Sequence, residues 1–199
     1  GVFALPLGIE NGAAIEDDLG ALAHFHGRGV RYVTLTHSEP NLICDSSYST
    51  DRRWGGLSPF GREVVAEMNR LGMMVDVSHL NEQGFWDLAA ITTAPIVATH
   101  SSAHALCPVT RNLTDRQLDA IRESGGMVGV NLDVGFVRED GQNDPDTPLS
   151  VVVRHFQYLV DRVGIDHVGF GSDFDGAKMP LALGDAAGLP RLIAELQQA

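Results

Sequence analysis

The sequence predicts an α/β fold built on parallel strands, and three observations predict it. Short apolar runs alternate with segments of helical periodicity, helix start and stop signals bracket those segments, and the runs are continuously apolar, as in strands covered on both faces. Strands are expected at residues 3–9, 32–36, 74–78, 96–99, 127–131 and 168–172. Helices are expected at 16–27, 59–70, 81–92, 114–124 and 149–162, where apolar residues recur every three to four positions. Ser58 before Pro59, Asn81, and Thr114 before Asp115 are start signals, because their side-chain oxygens can satisfy first-turn amides. Gly27, Gly72, Gly125 and Gly164 are the stops, where a left-handed terminal residue is needed.

Parallel strands of this kind form an open doubly wound sheet or a closed barrel. No Gly-x-Gly-x-x-Gly follows the first strand and no phosphate-binding Gly-Lys-Ser/Thr run occurs, which removes support from the nucleotide-binding open sheets. The expectation is a TIM-type (β/α) barrel of the metal-dependent hydrolase kind. A closed barrel has about eight strands and about six are legible, so the barrel is read as incomplete.

A chain of 199 residues with 44% hydrophobic content supports one sizeable core, and residues 1–199 are read as a single domain. The net charge of −12 (26 acidic against 14 basic residues) argues against nucleic acid, whose phosphates need clustered Arg and Lys. No run of about 18 apolar residues suggests a membrane span, and no secretory signal layout stands at the N-terminus. A cytoplasmic location is the expectation, although the chain itself carries no address. Cys44 and Cys107 lack metal-ligand spacing and are read as reduced, buried thiols.

Metal-capable residues recur where the apolar runs end: Glu10, His37, His79, His100 and Asp173. In a barrel of parallel strands these ends share one rim, where active sites of this architecture lie. A lone histidine is most simply a core or surface imidazole, but five coincidences favour a site. His79, His100 and Glu10 supply the imidazole and carboxylate set of a catalytic metal centre that leaves a position for water. His37 is either a ligand or a donor to a substrate oxygen. Asp173 is a base or an additional ligand. Arg111 either grips a substrate carboxylate with two prongs or is a surface arginine.

His24, His26, His104, His155 and His167 are read as structural. The DFDG run at 173–176 lacks the remaining oxygen ligands of a calcium loop. The glycosylation triplet at 112–114 is better used as a helix cap at Thr114. Lys178 is the only lysine and sits in a Gly/Pro loop, which excludes barrels that bridge two metals through a carboxylated lysine.

GVRYVTLTH at 29–37, GLSPFG at 56–61, VDVSH at 75–79, THSS at 99–102, RNLTD at 111–115 and GSDFDG at 171–176 run in order along the chain. Together they resemble the renal or membrane dipeptidase family, zinc-dependent enzymes within the amidohydrolase group of barrels. The resemblance implies a dipeptide substrate and two zinc ions, with Glu10 bridging them and His79 and His100 completing the ligands of the second. It implies that His37 contacts the substrate, Arg111 takes its carboxylate and Asp173 passes a proton to the leaving amine. The nucleophile implied is a hydroxide bridging the metals. Homodimerisation is left open.

The chain departs from the family pattern at several places. The His-x-Asp pair that normally serves the first metal is absent, and the simplest account is a fragment lacking the N-terminal strands. The chain stops in a helix expected at 189–198, and the C-terminal helices that usually follow in the family are expected to be missing as well. Asp133 takes a position where relatives have an aromatic residue near the substrate, and Ala13 one where a histidine often stands. Another amidohydrolase acting on lactones or amides, and an inactive fragment or binding protein of the same fold, are the alternatives.

Overall fold

A computed structural model describes residues 4–199, and the chain divides into two compact units, Gly1–Val97 and Ala98–Ala199. The first unit carries β1 (Leu7–Glu10), α1 (Gly20–Gly27), β2 (Val30–Thr34), α2 (Pro59–Leu71), β3 (Met74–Asp76) and α3 (Glu82–Ala89). β4 (Ile96–Ala98) begins in this unit, where its Ile96 and Val97 pair with β3. All these neighbours are parallel, and the register aligns Glu10 with Thr34, Thr34 with Asp76 and Asp76 with Val97.

That register corrects one expectation. Side chains alternate across a strand, so Ile9, Val33, Val75 and Ile96 share one face while Gly8, Glu10, Tyr32, Thr34 and Asp76 share the other. Polar side chains thus interrupt the strands on that second face. Thr34 and Asp76 are nonetheless buried, and they satisfy each other: Thr34 Oγ1 donates to Asp76 Oδ2 at 2.6 Å.

Element ends follow local hydrogen bonding. β3 stops at Asp76, short of the expected Ser78, because the Ser78 amide donates to Asp76 Oδ1 at 3.0 Å and turns the chain out of the sheet. β1 ends on Glu10 itself; Phe3, in the expected strand, lies outside the described residues. Residues Gly12–Ile15 form a 3₁₀ turn, and Glu16 at φ 54° delays α1 to Gly20. The left-handed stop expected at Gly27 falls instead on Gly29, at φ 102°.

α2 starts as its sequence predicts: Ser58 Oγ accepts the Gly61 amide at 2.8 Å and Pro59 occupies the first turn. Gly61 has no room for a side chain, since a Cβ there would strike the Ile43 carbonyl. The helix thereby docks against the long segment that precedes it. Within that segment, Asn41 Oδ1 accepts the Ile43 and Cys44 amides, and the buried Asp45 carboxylate accepts those of Trp54 and Gly55.

The second unit carries α4 (Asp115–Glu123), β5 (Met127–Val130), α5 (Val134–Val137), α6 (Leu149–Val163), β6 (Val168–Phe170) and α7 (Leu189–Leu196). β5 and β6 are parallel, with Gly129 opposite Gly169. Leu118, Ile121, Val128, Val130, Val152 and Leu159 form its core. The Thr114 amide and hydroxyl both donate to Gln117 Oε1 at 2.9 Å, which fixes the start of α4. Asn112, within the glycosylation triplet, is 5% exposed and donates to the Cys107 and Phe136 carbonyls, a structural role.

The sequence gives no hint of α5, a single turn set by its cap. Asp133 Oδ1 accepts the Gly135 amide at 2.7 Å and its Oδ2 accepts the Lys178 amide at 2.9 Å. The Asp133 carboxylate is thus engaged by backbone amides. Cys44 and Cys107 are free and buried, as expected. No helix among the described residues is long and apolar enough to cross a membrane.

Candidate metal centre

In the first unit, two of the expected ligands meet. Glu10 Oε1 lies 3.1 Å from His79 Nε2. His37 joins them, its ring centroid 4.4 Å from that of His79, and one ligand atom from each of Glu10, His37 and His79 lies within 4.8 Å of the others. His79 is 5% exposed and Glu10 47%, so the cluster has a fixed imidazole at its base and a solvent-facing carboxylate. One carboxylate and two imidazoles with an open side match a divalent metal held by three protein ligands with a position left for water. The donor set fits the zinc that the sequence resemblance implies.

Each ligand is placed by its exit from the sheet. Glu10 closes β1, and Asn11 beyond it, at φ 75°, accepts the Ala13 amide and an Asn41 side-chain N–H, both at 3.1 Å. His79 follows the Asp76 turn at φ 68°, a left-handed conformation unusual outside glycine. His37 follows β2, and its carbonyl accepts the Ser46 hydroxyl at 2.5 Å. Tyr32, on the same face as Glu10 and Asp76, has its phenol pKa raised by burial first and then by those two carboxylates. The same negative field favours a bound cation.

The second unit holds the other expected residues. Side chains at Gly129, within β5, and Gly171, just after β6, would strike the Thr99 carbonyl, so these glycines let the backbones approach closely. His100 is 8% exposed, its Nδ1 2.8 Å from Thr99 Oγ1. Arg111 is 4% exposed, donates from Nη2 to the His100 carbonyl at 3.2 Å, and stacks its guanidinium 5.3 Å from the Phe136 ring centre. A surface arginine it is not. Asp173, at φ 60°, accepts from Asn131 Nδ2 at 2.9 Å.

Sequence reasoning missed Asn131, Thr34, Asp76 and Ser46. Asn131 ends an apolar run, so the strand-end rule that selected the histidines would have found it. Thr34 and Asp76 gave no such signal, because they interrupt strands rather than follow them. Of the histidines read as structural, His155 is 1% exposed on α6, its Nδ1 accepting the Ala103 amide and its Nε2 donating to the Val137 carbonyl.

The parallel strand–helix order and the carboxylate–imidazole cluster at strand ends together define an α/β fold with a candidate metal site. The chain belongs to the membrane dipeptidase family, peptidase family M19, whose family model matches residues 1–199. It is 47% identical over 200 residues to an uncharacterized protein in the pqqA 5′ region of Klebsiella pneumoniae, covering 98% of this chain and 74% of that protein. It is 37% identical to the dipeptidase tcpJ of Claviceps purpurea, covering 100% of this chain and 46% of the relative. A metallopeptidase from Rhodobacter sphaeroides, solved with a phosphinate mimic of the dipeptide L-Ala-D-Ala, superposes with a TM-score of 0.91 at 48% identity, over 97% of this chain and 56% of that one. The chain thus spans about half the length of several relatives it matches.

Proposed function

We propose that the protein is a zinc-dependent dipeptidase, and the observation that carries the reading is the Glu10–His37–His79 cluster in a chain of the membrane dipeptidase family. Glu10 and His79 hold metal, with His100 as the further ligand that the resemblance implies. Zinc held there would supply Lewis-acid activation of water and of the peptide carbonyl. His37, solvent-facing beside His79, donates to the carbonyl oxygen as negative charge develops on it. Arg111 carries a guanidinium already oriented by the His100 carbonyl and the Phe136 ring, and it takes the dipeptide's carboxylate in a charge-assisted pair. Asp173, oriented by Asn131, passes a proton to the leaving amine.

The test is reconstitution. The protein is stripped of metal with a chelator, zinc is restored, and a panel of dipeptides, lactones and simple amides is assayed. Zinc-dependent cleavage confined to dipeptides is the expected result. Turnover of lactones or amides with none of dipeptides, or no turnover of any substrate by the zinc-replete protein, sinks the proposal.

A further inference from the structure

The long segment between β2 and α2 reaches the metal centre through its backbone. Ser46 is fully buried; its hydroxyl donates to the His37 carbonyl at 2.5 Å and accepts the Tyr48 amide at 3.2 Å. The Ser47 amide donates to the His79 carbonyl at 2.7 Å, and Ser46 forms an antiparallel bridge with Leu80. Ser46 and Ser47 are thereby fastened to the main chain of His37 and His79 respectively, and the Tyr48 amide to Ser46, which fixes where the Tyr48 side chain leaves. The Tyr48 ring centroid lies 5.7 Å from that of His79, inclined at 45°, yet the residue is 46% exposed. A core tyrosine would bury that ring. This one is held by a buried backbone against a metal-centre imidazole, with much of its surface turned to solvent.

We propose that Tyr48 is a specificity-determining residue whose ring packs against an apolar side chain of the dipeptide, an inference that rests on the dipeptidase reading. An aromatic ring offers a large contact area with few torsions to immobilise, and its backbone is already ordered by Ser46 and Ser47. A leucyl or phenylalanyl side chain gains buried area there that an alanyl methyl cannot. The preference is therefore for dipeptides bearing a large apolar side chain.

The experiment compares the zinc-replete wild type with Tyr48→Ala and Tyr48→Phe on alanine-only dipeptides and on dipeptides carrying Leu or Phe. Tyr48→Ala should lower kcat/KM for the large substrates about tenfold, chiefly through KM, and leave the alanine-only substrate within about twofold, as expected for lost apolar contact. Tyr48→Phe should match the wild type. Zinc content and circular dichroism should be the same in all three proteins. A second readout needs no turnover: calorimetry with phosphinate dipeptide analogues should show the same selective weakening for the analogue with a leucyl side chain. Equal losses on small and large ligands, or no loss at all, overturn the assignment. A wild type that cleaves no dipeptide strikes the dipeptidase reading instead, and the calorimetric comparison then still decides Tyr48.

Discussion

His79 Nε2 stands 3.1 Å from Glu10 Oε1 although 69 residues separate them. The order β1, β2, β3 closes that distance, because each parallel strand delivers its end beside the last. The two groups differ in freedom: His79 is buried and set by a left-handed backbone, whereas Glu10 faces solvent. A buried imidazole fixes the position of an ion, and an exposed carboxylate can shift between its oxygens as the ion exchanges water.

Removing either partner should therefore empty the centre. Glu10→Gln and His79→Ala should each weaken zinc binding by more than about 100-fold, since even residues behind a ligand are worth 10–100-fold. His37→Ala should cost less, because the proposed ligands are Glu10, His79 and His100 and the exposed His37 ring is assigned to a substrate oxygen. Competition with a chromogenic chelator measures all three, and equal zinc affinity in the Glu10 and His37 variants contradicts the ranking.

Glu10, His37 and His79 were legible because each is a metal-capable residue that closes or follows an apolar run, and parallel strands place such ends together whatever lies between them. The polar positions within the strands were not legible. Thr34 and Asp76 become meaningful only when the register sets them side by side, and register is a property of neighbours rather than of one strand. Asp76 also ended β3 early by capturing the Ser78 amide, a contact that strand periodicity cannot show. The capping role of Asp133 was hidden for the same reason: its two oxygens serve amides 2 and 45 residues away, the second of which only the folded chain brings near.

Asp173 is held by Asn131 at 2.9 Å, and the two should separate kinetically. Asp173→Asn should lower kcat by about 10²–10⁴-fold with little change in KM, the range for loss of a positioned proton donor. Asn131→Ala should give a smaller loss of kcat accompanied by a lower melting temperature, since its Oδ1 also accepts the Asp133 amide. A rise in KM with unchanged kcat in the Asp173 variant would place the carboxylate in binding rather than in proton transfer.

Both cysteines should be silent in the folded protein. Burial raises the Cys44 thiol well above its ordinary pKa and the Cys107 thiol to about 11, so neither forms the reactive thiolate at neutral pH. Ellman's reagent at pH 8 should release no colour from the native protein and two equivalents after denaturation. Rapid labelling of the native state would show that at least one thiol is accessible.

His155 should make the fold acid-sensitive. Its ring is spent as a neutral group, accepting the Ala103 amide at 3.1 Å and donating to the Val137 carbonyl at 3.0 Å. Burial, with a smaller push from Arg154 and against the pull of the Val137 carbonyl, lowers its pKa from 6.5 to about 4. Between those values the unfolded chain binds a proton there and the folded chain does not. Stability from this group is therefore complete above pH 6.5, is lost as pH falls from 6.5 towards 4, and changes no further below. At about 1.4 kcal/mol per unit, the loss is on the order of 3 kcal/mol. Urea unfolding of the wild type and of His155→Leu across this range separates the effect from that of the other histidines. The variant should be weaker at pH 7 by about 1–3 kcal/mol, having left the Ala103 amide and Val137 carbonyl without partners, but its stability should fall less steeply on acidification. Parallel pH profiles for the two proteins would show that His155 is not the group that titrates.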